Sequence, residues 1–171
     1  MPGWQDRLRG RFRGSKATPE TVFSGLRSMA LSIDLSDLDL PPSEPWSGAL
    51  VAMMEIGLKN GIASFVAIAD GSVSMYTSTG GGVIGAGEHA AVRAAADRFR
   101  RVAADVRDQL VSTMDFPLPT PGEVRFQVRT SDGGYTAAAA EAALRSGRHP
   151  LTELYASGQD LITEIRLASP P

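Results

Sequence analysis

The chain has 171 residues, a formal net charge of −2 and no cysteine. Its length suits one ordinary domain, its charge gives no global attraction to nucleic acid or anionic membranes, and the lack of cysteine excludes disulfides and thiolate sites. No apolar run approaches the roughly 20 residues of a membrane-spanning helix, and glycines and charges interrupt any candidate signal peptide, so we expect a cytoplasmic protein.

The first 43 residues are predicted to precede the compact domain. Residues 1–16 carry five basic residues against Asp6, a net charge of +4. This basic tail could contact an acidic partner, although a disordered tail is the more common alternative. Thr18 and Pro19 then predict the start of a short helix that ends near Leu31. The acidic stretch after it ends in prolines and predicts a linker, so the single α/β domain should occupy residues 44–169.

The stretch "WSGALVAMMEIGLKNG", residues 46–61, predicts a helix that stops at Asn60 and Gly61. Glu55 is its only charge before Lys59, so the helix would be apolar nearly all round and buried on more than one side. Either a second helix or a second subunit must cover the extra face. The candidate interface residues on this segment are Trp46, Leu50, Met53 and Met54.

Two strands and a long helix follow. The apolar run 64–69 predicts a strand buried on both faces, and Asp70-Gly71 predicts a hairpin to a more polar strand at 73–77. From Glu88 to about Met114 the apolar positions repeat at helical spacing, which predicts the longest helix of the chain.

The second half begins after three prolines between residues 117 and 121. Residues 124–128 alternate as a strand, whose polar positions Arg125, Gln127 and Arg129 form a candidate surface for an acidic ligand, or simply a solvated face. "SDGG" then predicts a turn. Residues 135–145 are ambiguous between strand and helix, and we predict a returning strand from Tyr135 to about Ala140. A final helix should begin at Pro150, with Gly158 allowing a close approach to a neighbouring element.

The glycine-rich loop 80–87 matches G-x-G-x-x-G at Gly80, Gly82 and Gly85, with Glu88 and His89 directly after it. A dinucleotide site needs a buried parallel strand before these glycines, whereas here a hairpin arm precedes them. Glu88 would also place a carboxylate where a phosphate should bind. We therefore interpret the loop as a tight backbone passage, and nucleotide binding is the alternative. The chain's two histidines have no spaced carboxylate partners, so we expect no metal site and no cofactor.

The predicted order of elements is helix, strand, strand, helix, strand, strand, helix. This order resembles the roadblock, longin and profilin-like group of small domains, and the stretches "ASFVAIADGSVSMYTSTGGGVIGAGEH" and "SGRHPL…GQDLITEIR" resemble an uncharacterised bacterial protein family. The tight hairpins predict a mainly antiparallel sheet, so we expect an α/β domain of the α+β type, with about four to five strands flanked by three helices. Roadblock-like and longin-like domains generally act as dimerising or scaffold modules.

Three classes of function remain open. The first is a non-enzymatic protein-interaction or scaffold module, whose partner is a second copy or another protein subunit. The second is a regulatory domain that binds a small molecule or nucleotide through the loop 80–87. The third is an enzyme whose site is not visible in one sequence. No catalytic motif is visible. The predicted helix that is apolar nearly all round favours the first class, which is our expectation.

Overall fold

The computed structural model describes residues 17–40 and 48–169. The predicted basic tail and Trp46 lie outside the described residues. Within them the chain forms four α-helices, namely α1 Pro19–Leu31, α2 Ala90–Asp105, α3 Glu141–Arg145 and α4 Thr152–Ala168. It also forms seven strands, which are β1 Val51–Leu58, β2 Gly61–Ile68, β3 Val73–Thr77, β4 Gly82–Ile84, β5 Val111–Thr113, β6 Glu123–Thr130 and β7 Gly133–Ala140.

The strands form one sheet in the order β4-β3-β2-β1-β6-β7-β5, and every neighbouring pair is antiparallel. The predicted α+β class and antiparallel sheet are therefore confirmed. The predicted numbers were too low, because the described residues contain seven strands and four α-helices. The likeness to roadblock and profilin domains stays a prediction.

The predicted helix over residues 46–58 is wrong, because Val51–Leu58 forms the central strand β1. β1 pairs with β2 on one side and with β6 on the other, and its side chains are buried on both faces. A strand of this kind has no alternating polar face, so periodicity cannot separate it from a buried helix. Asn60 is not a helix stop, since Lys59 and Asn60 form the two-residue turn of the β1–β2 hairpin.

The other predicted helices and strands are confirmed, but the predicted long helix is shorter than expected. α1 begins after Thr18, whose hydroxyl accepts a hydrogen bond from the Thr21 N–H at 3.3 Å, and the turn at Asp70-Gly71 joins β2 to β3. The long helix ends at Asp105 rather than near Met114. A single 3₁₀ turn then brings the buried Leu110 to the sheet, and the chain continues as the short strand β5.

The sheet carries helices on both faces. α2 and α4 pack side by side on one face, where Phe99 and Leu161 join a core with Met54 and Phe126 of the sheet. α1 packs on the opposite face, and its buried side chains lie in a second core with Val51, Met53, Val66 and Ile68. The predicted domain boundary near Ser43 lies outside the described residues, but α1, which precedes it, contributes to this second core.

Candidate functional site

The predicted interface residues that the structure describes lie in the interior of the chain. Leu50, Met53 and Met54 have no solvent-exposed area. Met53 belongs to the core under α1, whereas Met54 packs on the other face against α4. A Cβ atom added at Gly158 would lie 2.7 Å from the Met54 sulfur, so the close approach predicted for Gly158 is present. None of the three side chains has area left for a second subunit.

The glycine-rich loop makes a tight passage from the edge of the sheet to α2. Gly85 follows β4 with a left-handed φ of +87°, a conformation that favours glycine. Gly87 packs so closely on the backbone that an added Cβ would clash with the carbonyl oxygen of Gly71. Glu88 and His89 follow at the start of α2, and both are exposed. These features agree with the structural interpretation of the loop.

The predicted polar surface on β6 faces α1, and its side chains bind partners within the chain. Arg125 donates two hydrogen bonds to Glu123, and Arg129 forms an ion pair with Asp34 at 2.9 Å. Gln127, the third of these residues, is fully buried. The alternation in the sequence located the three side chains on one face, but it did not reveal that α1 and the segment 116–117 cover that face.

Gln127 belongs to a buried polar group that we call the Glu55 cluster, made of Glu55, Arg27, Ser64 and Gln127. The Arg27 guanidinium donates from Nε to Glu55 Oε1 and from Nη2 to Oε2, both at 2.8 Å. The Ser64 hydroxyl donates to Oε1 at 2.8 Å, and Gln127 Nε2 donates to Oε2 at 3.2 Å. Both carboxylate oxygens are therefore fully engaged, which is what a buried charge requires.

The same cluster fixes three parts of the chain relative to one another. Arg27 lies on α1, Glu55 on the central strand β1, and Arg27 Nη2 also donates to the carbonyl oxygen of Phe116 at 2.7 Å. Gln127 Nε2 donates to the carbonyl of Pro117 at 2.7 Å. A catalytic carboxylate must reach its substrate, whereas Glu55 has no exposed area. The arrangement therefore positions α1 and the segment 116–117 over the sheet.

Tyr76 lies in the layer under α1, and its hydroxyl has no hydrogen-bond partner among the described residues. The ring is buried and meets Phe23 edge-on, with 5.7 Å between centroids. Burial raises the pKa of the Tyr76 hydroxyl far above its ordinary value, and the negative charge of Glu55 adds to this effect. The hydroxyl therefore stays protonated, and its desolvation is not offset by a bond within this part of the chain.

Replacing Tyr76 with phenylalanine is therefore expected to raise the free energy of unfolding by about 1 kcal/mol, because it removes a buried polar atom that has no partner. Urea denaturation followed by circular dichroism measures this change. Tyr155→Phe is the matched control, since the Tyr155 hydroxyl donates to Glu141 at 2.9 Å and its loss should shift stability in the opposite direction. A destabilised Tyr76→Phe protein would show that the hydroxyl has a partner.

Two half-open grooves flank the first half of α1. One has a volume of about 300 Å³ and lies toward the β1–β2 turn, where Phe23, Leu58, Ile62 and Leu118 line it together with Glu20 and Lys59. The other has a volume of about 280 Å³ and lies toward the glycine-rich loop, with Pro19, Val22, Tyr76, Gly80 and Gly81 in its wall. Among the described residues, no charged side chain lines the second groove.

The sheet is open at both edges within the part of the chain that the structure describes. At the β5 edge, Val111 is 68% exposed and Met114 is 95% exposed. β5 pairs with β7 only at Gly134–Thr136, so the segment Ala137–Ala140 has no strand on its outer side among the described residues. At the opposite edge, β4 also has three residues and carries the partly exposed Ile84.

The chain matches no protein-family model, no curated protein and no solved structure. Across residues 17–40 and 48–169, no helix is both long and apolar enough to cross a bilayer. Within the same residues no three His, Asp or Glu side chains are grouped so that they could hold a metal ion.

Proposed function

We propose that the protein is a non-enzymatic protein-interaction module that self-associates, and that it binds other polypeptide chains at the edge formed by β5 and β7. The observation that carries this proposal is the open segment Ala137–Ala140, close to the exposed apolar side chains of Val111 in β5 and Met114 directly after it. Unpaired strand edges present backbone N–H and C=O groups that readily pair with another chain. The proposal includes a cytoplasmic location.

The composition of this edge supports the proposal. Edge strands that avoid partners commonly carry charges, prolines or bulges. Residues 137–140 are four alanines, and the register between β6 and β7 runs one-to-one over all eight residues, without a bulge. Val111 and Met114 add exposed apolar area beside it, which is common at protein-binding surfaces.

The Glu55 cluster and the groove beside the glycine-rich loop give less support to the two alternatives, an enzyme and a nucleotide-binding domain. The carboxylate with the most specific surroundings, Glu55, is closed off from solvent and bound on both oxygens. A regulatory domain that binds a nucleotide through residues 80–87 would need cationic groups near the phosphates, and the described residues around the groove beside Gly80 and Gly81 include no charged side chain. A non-enzymatic interaction module requires neither an accessible catalytic carboxylate nor a cationic phosphate site.

Sedimentation velocity over about a hundredfold range of protein concentration tests the proposal through mass action. We expect the average mass of the full chain to rise above that of the monomer. Ala138→Lys should weaken association about tenfold, because it places a charge on the open edge, whereas Ala94→Lys on the exposed face of α2 should not. A monomeric mass at every concentration would contradict self-association.

A further inference from the structure

We infer that β5 is a removable edge strand, which the buried Glu55 cluster holds beside β7 with Arg27 and Gln127 as its positioning residues. β5 covers the first part of β7, at Gly134–Thr136. When β5 leaves, the open edge of β7 extends back over these residues as well. The cluster therefore determines how much of β7 a partner chain can pair with, and this consequence rests on the proposed function.

The side chains of β5 contribute little to the core. Val111 and Ser112 are exposed, and so is Met114 directly after the strand. β5 has only three residues, and no strand lies on its outer side among the described residues. Segments with few buried apolar contacts open at a low cost in free energy. The position of β5 therefore depends on the buried Leu110 before it and on the residues that follow it.

The chain directly after β5 is held at Phe116. Arg27 Nη2 donates to the carbonyl oxygen of Phe116, and Gln127 Nε2 donates to that of Pro117, both at 2.7 Å. The Phe116 ring lies against Gly134 of β7, where an added Cβ atom would lie 2.5 Å from the ring atom Cζ. Two side chains of the Glu55 cluster therefore fix the end of β5 from the buried layer under α1.

Backbone amides of β7 report whether β5 is in place. In an antiparallel ladder, alternate residues direct their N–H groups toward the same neighbour. The two-residue turn of the β6–β7 hairpin sets this alternation, so the amides of Gly134 and Thr136 face β5, whereas those of Tyr135 and Ala137 face β6. In the parent chain we expect the first pair to exchange faster with solvent deuterium, measured by NMR, because only β5 has to leave.

Gln127→Met tests the hold on β5. The variant loses the bond to the Pro117 carbonyl, while the ion pair of the cluster remains. We expect the amides of Gly134 and Thr136 to exchange about tenfold faster than in the parent chain, because the departure of β5 no longer breaks that bond. Circular dichroism shows whether the variant is folded.

Ser64→Ala is the matched control. The Ser64 hydroxyl donates to the same Glu55 carboxylate, but from β2 on the other side of β1. The variant should lower the overall stability without changing the exchange rates of Gly134 and Thr136, since β5 can leave while the Ser64 bond stays intact. If Ser64→Ala accelerates these two amides as much as Gln127→Met does, Gln127 does not position β5.

Gly134→Ala tests the same contact from β7, without altering the cluster. The added methyl group would lie 2.5 Å from the Phe116 ring and 2.8 Å from the carbonyl oxygen of Thr113, so β5 and the ring must shift. The amide of Thr136 should then exchange about tenfold faster, since overpacking of this kind destabilises a contact. A rate equal to that of the parent chain would contradict the position of Phe116 on β7.

The two proposals can fail separately, because hydrogen exchange within one chain does not require self-association. If the amides of Gly134 and Thr136 exchange as slowly as those of Tyr135 and Ala137 in the parent chain, β5 opens only with the whole sheet and the present inference is wrong. If β5 responds as expected but the parent chain sediments as a monomer at every concentration, the proposed self-association is wrong and the positioning of β5 stands.

Discussion

Replacing Arg27 with methionine is expected to lower the free energy of unfolding by about 3–5 kcal/mol, the range found when one partner of a buried ion pair is removed. The reason is the fully buried Glu55 carboxylate, which would lose both hydrogen bonds from the guanidinium. Methionine fills a similar length of space, so the loss comes mainly from the unpaired charge. The carbonyl of Phe116 would lose its donor too. Urea denaturation monitored by circular dichroism measures the change.

Two comparisons isolate the cause. Arg98→Met removes an ion pair with Asp160 in which both side chains are 57% exposed, and such pairs contribute little in water, so we expect no measurable change. Adding Glu55→Gln to Arg27→Met removes the unpaired charge but keeps an amide beside Ser64 and Gln127, and it should recover part of the loss. If Arg27→Met is as stable as the parent chain, the Glu55 cluster does not hold α1 in place.

The sequence predicted the elements best where turn and capping residues mark their ends. Thr18 and Pro19 located the start of α1, because the threonine hydroxyl caps a helix N-terminus and proline suits its first position. Asp70-Gly71 and the turn before Gly133 located two hairpins. These signals are local, so they do not depend on how the chain packs.

Prediction from the sequence failed where the conformation of a segment depends on the elements that surround it. β1 is apolar on both faces because helices cover both faces of the sheet at its centre, and a helix between two layers would show the same composition. The three residues of β5 were included in the predicted long helix, because three residues are too few to show the alternating pattern of a strand. Its strand conformation depends on pairing with β7.

The candidate sites were also hard to predict, because they depend on how distant parts of the chain pack together. Glu55 was visible as a lone charge in an apolar run, but its partner Arg27 lies 28 residues earlier on a different element. Only the packing of α1 on the sheet brings the two together. The open segment Ala137–Ala140 could not be recognised either, because it is defined by where β5 stops pairing with β7. Four consecutive alanines favour helix by intrinsic propensity, and the hairpin with β6 overrides that preference.

Replacing Met54 with glutamate is expected to unfold the domain. The Met54 side chain has no exposed area, and its sulfur and terminal methyl group lie against Gly158 of α4. A carboxylate at this position would be surrounded by the apolar core that contains Phe99 and Phe126. Burying such a charge costs more than the roughly 5–15 kcal/mol by which proteins of this size are stable. Loss of the far-ultraviolet spectrum and of a cooperative thermal transition would show this.

Leu58→Glu is the matched control, because Leu58 is the last residue of the same strand and its side chain is about half exposed. That variant should keep the spectrum and a cooperative transition, since the carboxylate can remain in water. The pair also decides between the two interpretations of residues 46–58. A subunit interface on this segment would give a folded Met54→Glu protein of lower mass, whereas a central strand gives an unfolded one. A folded, monomeric Met54→Glu protein would therefore contradict the packing of β1 between the two cores.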